Sequence, residues 1–452
     1  MSSEPKPPTD EIKLSDHFNF RRLLKFTFPS ISMVVFMSVY GVVDGFFVSN
    51  FVGKVPFAAL NFIMPFLMLL CFIGFLFGTG GGALIAKTLG EGDRVKANRI
   101  FSMLVYLSIA LGILLMIFGM LKLRSAAEFL GARGELLEMC MRYGQIALFG
   151  LPAYVLQSEF QILFATAEKP QLGFYMTVAA GVANIVLDAF FILALGWGLE
   201  GAAAATALSE CIGGFLPLIY FARPNSSLLR LTKTSFDGRA LIQTITNGAS
   251  ELLTSVSMSL VGMLYNWQLL NYAGSDGVAA FGVIMYVNFI FVSIFIGYEV
   301  GASPLVSYNF GAQNFAELKN LLHKSLTLIS AFAVAMFLSA ELLARTLSMI
   351  FVGYDADLMA LTVRAFKIYA FSYLFSGFAI FSSAFFTALN NGFISAVISA
   401  LRTLVFEVTA VLTFPLLWGI DGIWLAMVGA EVMAVIVAAL FLYFNRKRYR
   451  YW

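Results

Sequence analysis

Charge is scarce in this 452-residue chain: Asp, Glu, Lys and Arg make up 12% of it, about half the share of an ordinary soluble domain. With 60% hydrophobic residues and a mean hydropathy of +0.85, that shortage excludes both a water-soluble globular body and a disordered chain. Histidine is rarer still, with only His17 and His323, and Cys71, Cys140 and Cys211 fall in no paired or metal-ligand spacing. Neither H-E-x-x-H, nor G-x-S-x-G, nor an acidic metal motif occurs, so the chain is not read as an enzyme. Short segments of alternating polarity are also missing, which excludes a membrane β-barrel and leaves helices as the way to satisfy backbone groups in lipid. The polar opening segment, MSSEPKPPTDEIKLSDHFNF, lacks the apolar stretch and cleavage site of a signal peptide, so the first span is expected to stay in the mature protein.

What the chain does have is apolar stretches of about 20 residues, the length that spans a bilayer, and about twelve of them. The expected fold is all-α: twelve transmembrane helices in two pseudo-symmetric six-helix bundles. The divisions are an N-terminal tail over 1–25, an N-lobe over 26–222, a linker over 223–241, a C-lobe over 242–444 and a basic tail over 445–452. Twelve spans place both termini on one side. Loops on that side carry 20 Lys and Arg against 8 on the other, so the termini are expected in the cytoplasm. This implies a multi-pass plasma-membrane protein, in a bacterium the inner membrane. The net charge of +3 follows from that loop asymmetry and does not call for nucleic acid.

An internal repeat supports the two lobes. GTGGGALIAKTLGEGD from Gly78 resembles EVGASPLVSYNFGAQN from Glu299, and their closing glycines, Gly90 and Gly311, are offset by 221 in the numbering (311 − 90). The same offset relates FATAEKP from Phe164 to FFTALNN from Phe385, and GLEGAAAATALSE from Gly198 to GIDGIWLAMVGAE from Gly419. Chance apolar matches would scatter over many offsets, so a duplication is inferred. Six spans per copy make the repeats parallel, with the substrate path between them.

Carboxylates are costly inside a bilayer, so each one there is a candidate for function. Asn184 and Asp188 stand four apart on one helix face, Thr206 follows in the next helix within the small-residue run Gly201 to Ala207, and the first span adds Asp44 with Tyr40 one turn earlier. Two carboxylates, an amide oxygen and a hydroxyl suit Na⁺ or a shared proton. The same residues are open to a second reading, in which Asp188 caps or cross-links helices and Asp44 sits near the outer interface. Glu210 and Glu431, equivalent by the offset, read as structural, and Glu407 as a partner of Arg402 or of a nearby donor. Glu251 is placed near the cytoplasmic start of the seventh span, and Glu299 along the cavity. Pro29 in the first span is a candidate hinge or a fixed kink.

These residues together resemble the multidrug and toxic compound extrusion (MATE) family. The resemblance rests on Pro29 with Asp44, N-x-x-x-D from Asn184 to Asp188, G-x-G-x-x-G-A-A-x-A-T ending at Thr206, and P-L-V-S-Y-N-F-G-A-Q from Pro304, and it covers nearly the whole chain. It implies two six-helix bundles forming a V that opens alternately to each side, exchanging cationic drugs for H⁺ or Na⁺. Carried over, the N-lobe cation site is Asp44, Asn184, Asp188 and Thr206, with Tyr40 and Pro29 associated; the same four would be the metal ligands if the ion is Na⁺. Some branches also place a Glu about two turns into the seventh helix and an Asp in the tenth. Here the seventh offers Ser255, Ser257 and Ser259 and the tenth has no acid, so a C-lobe site of that kind is not expected.

The resulting expectation is a secondary active exporter of amphipathic cations by alternating access. It needs no cofactor beyond its coupling ion, with H⁺ favoured over Na⁺, and acts as a monomer in the lipid bilayer on drugs or toxic metabolites. A lipid-linked oligosaccharide flippase of the same superfamily is the alternative, though few basic residues lie within the spans. A passive channel is a further rival, opposed by acids paired in one lobe.

Overall fold

The computed structural model describes residues 12–452, and every regular element among them is helical. Residues 1–11 of the expected N-terminal tail lie outside the described residues. The first half comprises α1 (Phe20–Phe47), α2 (Lys54–Leu76), α3 (Gly82–Gly90), α4 (Arg94–Leu130), α5 (Gly134–Thr166), α6 (Pro170–Asp188) and α7 (Gly198–Ala222). The second comprises α8 (Gly238–Gly311), α9 (Phe315–Val352), α10 (Ala356–Ala370), α11 (Tyr373–Ala388), α12 (Gly392–Ala400), α13 (Glu407–Trp418) and α14 (Ile420–Tyr449).

Helix starts follow local chemistry. Asp93 and Asn314 accept from the amides of Lys96 and Glu317, Asp237 caps α8, and Asp355 caps α10. Among the described residues ten helices are long and apolar enough to cross a membrane, and α10 with α11, bent by 48°, forms one more. The long α8 reverses at Gly274, where φ is 61° and ψ is −147°, so it contributes two spans and the total is the expected twelve. Boundaries move: the first span starts at Phe20 rather than at residue 26, and α14 continues through the basic tail to Tyr449.

The duplication is visible in the backbone. Glu91 N donates to Lys87 O, and at the same offset of 221 Ala312 N donates to Tyr308 O; Gly198 and Gly419 share a φ of 59°. One expected match shifts. The turn after α5 places Glu168 at φ 61° and the turn after α11 places Asn390 at φ 56°. Their offset is 222 (390 − 168), so Phe164 corresponds to Phe386 and not to Phe385. One residue is gained and then lost between the copies, a change invisible to matching of apolar letters.

Four apolar clusters form the core. Val48, Leu67, Tyr143 and Leu199 belong to one confined to the N-lobe, and Tyr265, Ile284, Tyr369 and Trp424 to one confined to the C-lobe. Clusters in the half of the molecule nearer the termini mix the lobes: Leu23, Phe26 and Ile31 of α1 pack with Tyr298, Leu305 and Phe385 of the C-lobe.

The lobes meet on this terminal side through closely fitted glycines. Added Cβ atoms on Gly80 and Gly248 would stand 2.1 Å from Thr244 O and 2.5 Å from Leu76 O, and those on Gly297 and Gly301 would strike Ile31 and Thr27. The segment over 12–19 crosses the same face. Leu14 N donates to Glu168 Oε1 at 2.6 Å in the N-lobe, while Phe18 N donates to Glu317 Oε1 at 2.9 Å in the C-lobe. His17 Nδ1 lies 2.6 Å from Glu317 Oε2, and Leu14 and Phe18 are fully buried. This strap joins the two lobes at the terminal side.

Candidate functional site

In the N-lobe, α1 carries Tyr40 and Asp44 one turn apart toward α6, where Gly181 leaves room for Phe36 and Tyr40: a Cβ there would come within 2.5 Å of the Phe36 ring. Asn184 and Asp188 follow on α6 and are buried, with 2% and 0% exposure. The carboxyls of Asp44 and Asp188 meet within hydrogen-bonding reach. Among the described residues no donor serves either oxygen of Asp188, Oδ1 of Asp44 or the amide oxygen of Asn184. Both observations hold together because two carboxyls can bond only when one proton lies between them. Buried oxygens without donors are rare and call for an explanation.

On α7, the Thr206 hydroxyl donates to Ala202 O at 3.0 Å, leaving its oxygen free to accept. Tyr143 of α5, fully buried, lies in the electrostatic field of Asp44, Glu210 and Asp188. Glu210, one turn further, lies in the electrostatic field of Asp44 and Tyr40, and Gly150 permits this: a Cβ there would be 2.3 Å from Glu210 Oε2. Glu210 makes no hydrogen bond or ion pair among the described residues. Asp44 of α1 thus lies beside Asp188 of α6, with Asn184 one turn earlier on the same helix and Thr206 on the neighbouring α7. Tyr143 has no linear signature, and Glu210 was visible as an acid but read as structural.

Local backbone geometry marks the same place. A π-helical segment, Ala189–Ala194, begins directly after Asp188, and another, Val48–Val52, begins four residues after Asp44. Such segments insert a residue into the helical ladder and recur at functional sites. Among the described residues no group of three or more His, Cys, Asp or Glu could hold a metal ion. The donor set is two carboxylates, an amide oxygen and a hydroxyl, which fits a monovalent cation or a proton.

The C-lobe counterpart is built differently. Arg402, in the π segment Leu401–Phe406, binds Glu431 of α14 in a fork, with Nε at 3.0 and 3.1 Å from the two oxygens and Nη2 at 2.6 Å from Oε1. Its direct partner is thus Glu431 rather than Glu407, which stays in its electrostatic reach. Glu251 lies about 20 Å along the axis of α8 from its first residue, Gly238. Glu251 interacts electrostatically with Glu299 of the second α8 span, one turn beyond the seam residue Gly248.

Two six-span bundles joined on one side, with a polar site inside one of them, define a membrane transporter of the duplicated type. The MatE family model matches residues 29–190 and again 252–414, once in each half, and the chain belongs to this family. It is 25% identical to the multidrug export protein MepA of Staphylococcus saprophyticus over 95% of this chain and 94% of that one. The relative from Staphylococcus haemolyticus is 26% identical with the same coverage. Among solved structures, the outward-facing conformation of a multidrug resistance MATE family transporter superposes with a TM-score of 0.92 at 22% identity, covering 98% of this chain and 100% of that one.

Proposed function

We propose that this protein is a secondary active exporter of amphipathic, cationic small molecules, driven by H⁺ or Na⁺ exchange at Asp44, Asn184, Asp188 and Thr206. The observation that carries this reading is the set of donorless oxygens where Asp44 meets Asp188. A bound proton or cation supplies what those oxygens lack, and its departure restores repulsion between two carboxylates. A multidrug export name on relatives of equal length agrees with it.

On the positive-inside count the termini and the closed seam are cytoplasmic, and in this reading the cleft between the lobes lies on the side opposite the seam and opens outward. Coupling runs along α1, which carries Asp44 in the N-lobe and, at Thr27 to Ile31, presses on Gly297 and Gly301 of the C-lobe. Pro29 lies in that stretch and breaks the ladder there, which makes it the hinge between site and seam. Glu251 and Glu299, beside the seam, offer negative charge to a cationic drug. A lipid pyrophosphate would need free cations in the cleft, whereas Arg402 is committed to Glu431.

Ethidium efflux from reconstituted vesicles tests the scheme, first with a pH gradient alone and then with a Na⁺ gradient alone. One gradient should drive efflux, and Asp44→Asn and Asp188→Asn should each abolish it in folded protein. Wild-type efflux by both variants would sink the reading. Trans-stimulation by unlabelled drug separates this exchanger from a channel.

A further inference from the structure

The two lobes treat a glutamate at the same place on the last helix of each bundle, half-buried in Glu210 and fully buried in Glu431, in opposite ways. Glu210 and Glu431 occupy equivalent positions at the offset of 221 (431 − 210). Glu431 is 1% exposed and held by Arg402 through three contacts of 3.1 Å or less. Glu210 has no cationic partner among the described residues. Its lobe has nothing to offer, because the counterpart of Arg402 is Gly181 at an offset of 221 and Ala180 at an offset of 222, both without a charged side chain.

The exchange is reciprocal. Where Arg402 is missing, Asp44 and Asp188 are present; where it is present, they are replaced. The position of Asp44 becomes Tyr265, and that of Asp188 becomes Thr409 or Ala410 according to the offset. Tyr265 lies in the field of Glu407 and Glu431, as Tyr40 lies in that of Asp44 and Glu210. The groups around the guanidinium are Glu431 of α14, Glu407 at the start of α13, Glu299 of α8 and Tyr369 of α10, with Glu251 beside Glu299. Acids therefore surround the Arg402 cation, and it is covalently attached.

We propose that Arg402 is a resident cation: its guanidinium holds in the C-lobe the place that the exchangeable ion takes in the N-lobe, and so keeps the C-lobe out of ion coupling. This rests on the N-lobe reading above. A tethered guanidinium cannot leave with the transport cycle, and it does not give up its proton, so Glu431 stays neutralised in every state. Arg402 acts here as a positioning residue that sets how many ions accompany each drug. Its removal leaves Glu431 and Glu407 as a pair of acids in a polar recess, which is what the N-lobe already uses.

The test is the ion-to-drug ratio of the reconstituted full chain, read from the gradient at which net ethidium flux vanishes. Wild type and Arg402→Lys should share one ratio. Arg402→Ala should raise it by about one ion per drug, since one further buried acid becomes exchangeable. Arg402→Ala with Glu431→Ala should return it to the wild-type value, which a merely structural cross-link would not predict. Arg402→Gln, which keeps a donor for Glu431, serves if the alanine variant does not fold and should show the same rise. An unchanged ratio in folded Arg402→Ala or Arg402→Gln overturns the proposal.

A second arm leaves the C-lobe native. With Asp44→Asn and Asp188→Asn together, ion-coupled flux should vanish. Residual coupling abolished by Glu407→Gln would mean that the native C-lobe takes an ion, and the proposal fails. Residual coupling insensitive to Glu407→Gln faults the N-lobe reading instead.

Discussion

Gly90 and Gly311 face each other's helix across the seam as a reciprocal pair: a Cβ on Gly90 would stand 2.0 Å from Tyr308 O, and one on Gly311 would stand 2.0 Å from Lys87 O. Since Lys87 and Tyr308 are themselves related by the offset of 221, one contact is the image of the other under the lobe pseudo-symmetry. Carbon cannot approach a backbone carbonyl so closely, so a methyl group forces the helices apart. Overpacking of this kind costs about 1–3 kcal/mol, and here the cost falls only on the state closed at the terminal side. Gly90→Ala and Gly311→Ala should therefore both shift the resting population by about tenfold toward the opposite opening. Spin-label distances across the terminal face would report it, and unchanged distances in both variants would refute the seam as the closing contact.

Periodicity and charge carried the reading of the fold far. Twelve spans, two lobes and the shared face of Asn184 and Asp188 follow from apolar length, the repeat and i, i+4 spacing, while the placement of Asp44 beside Asp188 needed the packing of α1 on α6. What escaped depends on tertiary packing. Arg402 pairs with Glu431, on a different helix, because two helices cross there, while proximity in sequence pointed to Glu407. Tyr143 joins the site from a helix with no marker near it. The strap over 12–19 looked like a polar tail, yet Leu14 and Phe18 are buried in it.

The contrast between Glu431 and Glu210 predicts different penalties for the same substitution. Glu431→Gln takes from the largely buried guanidinium the acid it hydrogen-bonds while Glu407 stays within electrostatic reach, a loss of about 1–3 kcal/mol. Thermal unfolding in detergent should show a lower midpoint and reduced yield. Glu210→Gln breaks no ion pair, so its midpoint should stay close to wild type while its coupled efflux falls. Equal destabilisation by the two would contradict the asymmetry between the lobes.

Glu168 gives the strap a pH dependence. Its carboxyl, in the turn between α5 and α6, is pushed above the ordinary value of 4.5 mainly by burial, which outweighs the bond from Leu14 N and the charges of Lys13 and Lys169; Asp16 adds to the rise. An acid whose folded value is raised is most comfortable when neutral. Its contribution to strap docking is therefore fully present below the unfolded value and is lost as pH rises through the folded one. Amide protection over the strap, corrected for intrinsic exchange, should fall with rising pH from about 4 upward. Glu168→Gln keeps an acceptor for Leu14 without the charge, so its protection should stay flat. The same decline in the glutamine variant would assign the pH dependence elsewhere.

The meeting of Asp44 with Asp188 makes a prediction about additivity. If each acid bound its own ion, the two asparagine substitutions would act independently and their effects on ion affinity would sum. A shared proton or cation needs both groups, so the first substitution already removes the site. Coupling between contacting groups of this sort amounts to about 0.5–3 kcal/mol. The Asp44→Asn/Asp188→Asn double variant should thus be no worse than either single one in drug-linked ion release, measured by titration of purified protein with ethidium in weak buffer. An additive loss would mean two separate sites and would remove the reason for placing the ion between α1 and α6.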